Sequence, residues 1–168
     1  MKIKTPAGFK TRHPLHWLAF GFGSGLSPYA PGSVGSLLAL PFFLLWRHLS
    51  VAAFFIAMAV LFVLATWICA RTSRDLGVHD HGGIVIDEFL GQWLTLSPLI
   101  LYPVTGSALL GLLLLGFCLF RVFDIFKPWP IRWVDRHVHG GFGIMLDDVL
   151  AALLAALLLR LAQILLAT

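Results

Sequence analysis

Two stretches of this sequence, residues 48–70 and 89–120, carry no Asp, Glu, Lys or Arg. Each is at least the ~20 residues that an α-helix needs to cross the hydrocarbon core of a bilayer. With 59% hydrophobic residues and a mean hydropathy of +0.90, the 168-residue chain carries more apolar side chain than one soluble core of that size can bury. The expectation is an all-α, multi-pass membrane bundle forming a single domain over 1–168. Residues 1–36 provide an interfacial segment and a Gly/Ser/Pro-rich loop, and 37–168 the helices.

Five hydrophobic segments are expected. The first, about Val34–Leu49, contains Pro41 and is short enough either to cross obliquely or to be re-entrant. The second runs from about Leu49 to Ala70, and the third starts near Ile84. The fourth covers about Ser107–Phe126 and is stopped by Lys127-Pro-Trp-Pro. The last starts near Met145. Glycine, proline and serine crowd residues 13–36 and argue against a long regular helix through Gly21–Ser36. The connector 127–145 has room for a short interfacial helix with tryptophans at headgroup level.

Net charge is +4, but the cations fall in short segments between apolar runs rather than on one basic face, which excludes a nucleic-acid binder. If the N-terminus is cytoplasmic and all five segments cross, ten of the twelve Lys and Arg residues and all eight carboxylates lie on the cytoplasmic side. Only Arg47 and Arg160 fall on the other, a strong positive-inside bias. Cys69 and Cys118 sit inside apolar runs and read as buried, reduced thiols. Neither begins a C-x5-R phosphatase loop, and the histidines around residue 80 lack a zinc spacing.

The polar side chains gather at the starts and ends of the apolar segments. Asp87 and Glu88 are expected in the first turn of the third segment, with Asp80 seven residues upstream. Gly91 shares a face with Asp87 and lets a neighbouring helix approach. Asp147 and Asp148 are expected in the first turn of the last segment, above small residues: Ala151 and Ala155 below the first, Ala152 and Ala156 below the second. If the two acidic pairs meet, their mutual repulsion calls for a cation, and an oxygen-only ligand set favours Mg²⁺ or Mn²⁺ over zinc. Arg121, Asp124 and Lys127 follow at i, i+3 and i+6, with Arg132 and Arg136 close behind. This cluster suits phosphate oxygens, with anionic lipid headgroups as the competing partner. The 21–36 loop offers backbone N–H groups and the Ser24 and Ser27 hydroxyls to an anion, in neither a Walker nor a dinucleotide pattern.

Four blocks of this chain resemble the phosphatidylglycerophosphatase A family, in the family order: GFGSGLSPYAPGSVGSL (21–37), GVHDHGGIVIDEFLGQW (77–93), FRVFDIFKPWPIRWVDR (120–136) and GGFGIMLDDVLA (140–151). The departures are small, Ser33 in place of an expected Thr and Ala152 in place of Gly. The resemblance implies a Mg²⁺-dependent phosphatase of the bacterial inner membrane. It would convert phosphatidylglycerophosphate to phosphatidylglycerol, with its active site facing the cytoplasm and membrane lipid around it. On that reading Asp87, Glu88, Asp147 and Asp148 hold the metal. Arg121, Lys127 and Arg132 clamp the phosphate with help from Ser24 and Ser27, and Asp80 or Asp124 acts as general base. Direct water attack and an aspartyl-phosphate both stay open here. The rivals are a lipid-binding scaffold without catalysis and a head-group transferase, whose D-G-x2-A-R motif is absent.

Overall fold

The computed structural model describes residue 9 and residues 13–78 and 81–167. Among these the chain is helical without strands: α1 (Pro14–Ala19), a 3₁₀ turn (Gly21–Leu26), α2 (Pro31–Trp46), α3 (Val51–Leu76), α4 (Ile86–Thr95), α5 (Pro98–Leu101), α6 (Gly106–Phe126), α7 (Ile131–His137) and α8 (Gly140–Ala167). All five expected hydrophobic segments are present, the third divided into α4 and α5 by the turn at Leu96-Ser97. By length and composition, α3, α6 and α8 can each cross a membrane. Large apolar side chains such as Ile56, Val63, Leu110, Ile125 and Leu157 are exposed on the outside of the bundle. In water, an apolar exterior on this scale would drive association; in lipid it meets its own kind.

The helix ends follow local chemistry. The Ser50 hydroxyl accepts from Ala53 N at 3.2 Å and caps α3, which closes on Gly77 in the left-handed region. Lys127 (φ 41°) closes α6 before the Pro-Trp-Pro stop. The expected interfacial helix is α7, with Trp133 exposed on it and Trp129 exposed just before it.

Three expectations need correction. First, α2 begins at Pro31 rather than Val34, so the glycines and serines of 31–36 are helical, and the helix continues through Pro41. A proline at the first helical position is favourable, since its missing N–H would have had no partner there. Second, α8 begins at Gly140, not near Met145. The glycines there mark a close approach rather than a loop. A Cβ on Gly141 would lie 2.1 Å from Thr66 O and 2.7 Å from Ala70 N, so only glycine lets α8 start against the backbone of α3. Asp147 and Asp148 therefore sit inside α8 instead of in its first turn, where no free N–H groups await a capping carboxylate. Third, Cys118 is exposed on the outside of α6, whereas Cys69 is buried as expected.

Helix α8 is the hub, packing against α3, α4, α6 and α7. The five segments alternate in direction. At one end, Arg47 just past α2 donates to Val104 O (2.7 Å) and Gln163 of α8 donates to Tyr102 O (3.0 Å). At the other end, the start of α2, the start of α4, the end of α6 and the acidic part of α8 converge.

Candidate active site

That second end is organised by glycines and alanines. Val85 N bonds to Ala19 O at 2.8 Å, placing the start of α4 under the N-terminal segment. One turn into α4, a Cβ on Gly91 would meet Phe120 Cζ at 2.6 Å and the Asp148 Cβ at 3.4 Å, so α6 and α8 both press on α4 there. Ala151, Ala152 and Ala155 are fully buried around Phe120 and Ile131 and hold α8 close. As a result Asp87, Glu88 and Asp148 each present a carboxylate oxygen within 4.8 Å of the others. The two acidic pairs meet across the bundle.

Arg121 closes the cluster. Its Nη1 stands 2.6 Å from Asp124 Oδ2 and 3.7 Å from Glu88 Oε1, and donates to the Ser36 Oγ at 3.3 Å. Ser36, fully buried, in turn donates to Gly32 O at 2.9 Å. Asp124 lies within electrostatic reach of Glu88, Asp147 and Asp148. Arg121 thus meets Asp124 and Glu88 at the edge of a cluster of four carboxylates, and Glu88 Oε2 and Asp148 Oδ2 are buried with no hydrogen-bond partner among the described residues. Buried carboxylates in this excess repel strongly unless a cation is supplied.

Asp147, one residue along α8, is turned away from the triple and pairs with Lys127, whose ammonium also bonds to Asp135 of α7. Burial works against the charge on Lys127, but Asp147 and Asp135 outweigh it and raise its pKa above the ordinary lysine value. Arg132 is exposed at the rim, its Nη2 donating to Phe126 O at 3.0 Å. The Ser24 and Ser27 hydroxyls donate within their own loop, to Gly21 O and Tyr29 O, both at 2.8 Å. Asp80 lies outside the described residues. Of the residues singled out from sequence, Asp87, Glu88, Asp124, Asp148 and Arg121 form one site, and Asp147 and Lys127 flank it.

Sequence reasoning missed Ser36, Gly32 and Asp135. A Cβ on Gly32 would stand 2.2 Å from Glu88 Oε1 and 3.0 Å from an Arg121 nitrogen, so this glycine gives α2 its place against the site. The signal was present as glycine and serine at i, i+4, but only in a stretch expected to be loop. Gln92 and Thr95, both fully buried on the α4 face below Glu88, also escaped notice. Their side-chain polar atoms have no hydrogen-bond partner among the described residues.

Residues 17–163 match the family model described as phosphatidylglycerophosphatase A. The chain is 46% identical over 147 residues to the phosphatidylglycerophosphatase A of Escherichia coli strain K12, covering 88% of this chain and 82% of that protein. Its similarity to the phosphatidylglycerophosphatase A of Haemophilus influenzae is also 46%, over 146 residues and 86% of each chain. No solved structure matches.

Proposed function

Since this chain belongs to the phosphatidylglycerophosphatase A family, we propose that it hydrolyses the terminal phosphate monoester of phosphatidylglycerophosphate, releasing phosphatidylglycerol and inorganic phosphate. The observation that carries this reading is the Asp87–Glu88–Asp148 triple, with both aspartates buried and Glu88 half-buried, beside Arg121 at one end of a membrane bundle. A lipid substrate needs its reacting group handled at the bilayer surface while its tails stay in the leaflet.

The donor set fits Mg²⁺. It is all oxygen, it carries surplus negative charge, and two of its buried oxygens have no hydrogen-bond partner among the described residues. Asp87, Glu88 and Asp148 would hold the ion, with Asp147 beside them. When bound, Mg²⁺ would supply charge neutralisation for the phosphate and the attacking oxygen. Arg121 presents a forked donor to phosphate oxygens and is kept in place by Asp124 and Ser36. Lys127 adds a point charge from the α6 end, and Arg132 a second guanidinium at the rim. We assign the general base to Asp124, which lies next to the triple and outside it, to take the proton of an attacking water as the P–O ester bond breaks and the glycerol oxygen departs with its electron pair.

Purified protein should release inorganic phosphate from phosphatidylglycerophosphate with Mg²⁺ present and lose that activity to a chelator. The same assay on other lipid and lysolipid phosphate monoesters defines the headgroup preference. No release from any of them would favour the scaffold reading.

The positive-inside bias supports a site facing the cytoplasm of a bacterial inner membrane. Arg74 and Thr105 are both exposed and lie at opposite ends of the bundle. In intact cells a membrane-impermeant thiol reagent should label Thr105→Cys and spare Arg74→Cys; the reverse pattern would invert the topology.

A further inference from the structure

We infer that the end of the bundle opposite the carboxylate cluster binds the headgroup of an anionic phospholipid, on Arg160 and Gln163 of α8. A cavity of about 460 Å³ lies there between the α5–α6 turn and the last turns of α8, with Tyr102, Val104, Leu112, Arg160, Gln163 and Leu166 in its walls. The Arg160 guanidinium sits 3.3 Å over the Tyr102 ring centroid. That contact occupies a face of the guanidinium and leaves its N–H edge, where planar forked donors meet phosphate oxygens.

Among the described residues no carboxylate answers this charge. The seven described carboxylates all belong to the opposite end, with Asp75 near the end of α3, Asp87 and Glu88 at the start of α4, Asp124 at the end of α6, Asp135 in α7, and Asp147 and Asp148 in the first half of α8. Among the described residues no hydrogen-bond acceptor engages Arg160. An arginine in an apolar helix without a counter-charge is costly, and such residues mark sites of function. Arg47 adds a second positive charge at the rim, where it donates to Val104 O at 2.7 Å.

Gln163 supplies the second requirement. It is only 6% exposed; its amide nitrogen donates to Tyr102 O, and its carbonyl Oε1 is buried with no partner among the described residues. The pair therefore asks for an anion beside Arg160 and a hydroxyl donor beside Gln163, over apolar walls at Leu112 and Leu166. A phosphodiester with a glycerol-type headgroup meets both demands, and its acyl chains continue along the lipid-facing surface. A choline headgroup brings a cation toward two arginines and no hydroxyl.

Native mass spectrometry of the full chain in detergent, with equal amounts of phosphatidylglycerol and phosphatidylcholine, tests this. The wild type should retain one phosphatidylglycerol that millimolar inorganic phosphate does not displace. Arg160→Gln should weaken that retention about ten-fold or more, the loss of one charge-assisted contact. Gln163→Leu should weaken it by a smaller factor, and Arg121→Lys at the other end should leave it intact. Should Arg160→Gln not fold, Arg160→Lys keeps the charge without the fork and should weaken retention about three-fold, with no change for phosphatidylcholine. Equal retention of phosphatidylcholine, displacement by free phosphate, or undiminished retention in the Arg160 variants would overturn the assignment. So would a bound lipid that is lost only in Arg121→Lys.

Discussion

Asp148→Asn is expected to lower phosphate release by roughly a hundred- to a thousandfold, equivalent to about 2.7–4 kcal/mol of transition-state stabilisation. The change is isosteric, so the packing of Asp148 against Gly91 is kept, and the protein should insert and fold as before. What goes is one of three carboxylate oxygens that lie within 4.8 Å of one another. The Mg²⁺ concentration needed for half-maximal activity should rise as well. Asp147→Asn is the internal comparison. Its carboxylate faces Lys127, and the expected loss is smaller, about tenfold. Turnover of Asp148→Asn within threefold of wild type, or a deeper loss for Asp147→Asn, would move the centre of the site along α8.

The second large effect concerns Arg121. Arg121→Lys keeps the charge among the carboxylates but gives up the fork that reaches Asp124, Glu88 and Ser36 together. Its KM for the lipid substrate should rise about tenfold or more while the melting temperature changes little. Among the described residues Arg121 is the cation that contacts Asp124 and Glu88, and Arg121→Ala removes it. Breaking a buried ion pair from one side costs about 3–5 kcal/mol, so this variant should lose much of its thermal stability without metal and recover part of it with Mg²⁺. Unchanged KM in the lysine variant would remove Arg121 from substrate binding and leave it a purely structural counter-ion.

Much of this molecule is legible in the chain because a bilayer is a demanding solvent. Charge-free runs have few alternatives to helix, and Asp87 with Gly91, like Asp148 with Ala152, announces an acidic position above a surface that another helix can approach. What the sequence does not announce is which acid of an adjacent pair joins the cluster. Asp147 and Asp148 point about 100° apart on the same helix, and the decision falls to Lys127, twenty residues upstream, which draws Asp147 aside. Gly140, Gly141 and Gly143 read as a connector until Thr66 is found pressed against Gly141, because a glycine that permits helix packing and one that breaks a helix look alike in one dimension. Ser36 was hidden for the same reason. It lies in a Gly/Ser run that becomes helical only against α4 and α6.

Lys127 has a mechanical consequence beyond its charge. It closes α6 in a left-handed conformation and holds both Asp135 of α7 and Asp147 of α8. Three consecutive helices are thereby pinned at one level, and α6 cannot slide against α8 by even one residue, about 1.5 Å, without parting these ion pairs. The level of the carboxylates within the bundle is set by that pin. No comparable ion pair holds the opposite end among the described residues, so a bundle fastened in this way answers changes in bilayer thickness there and keeps its chemistry at constant depth.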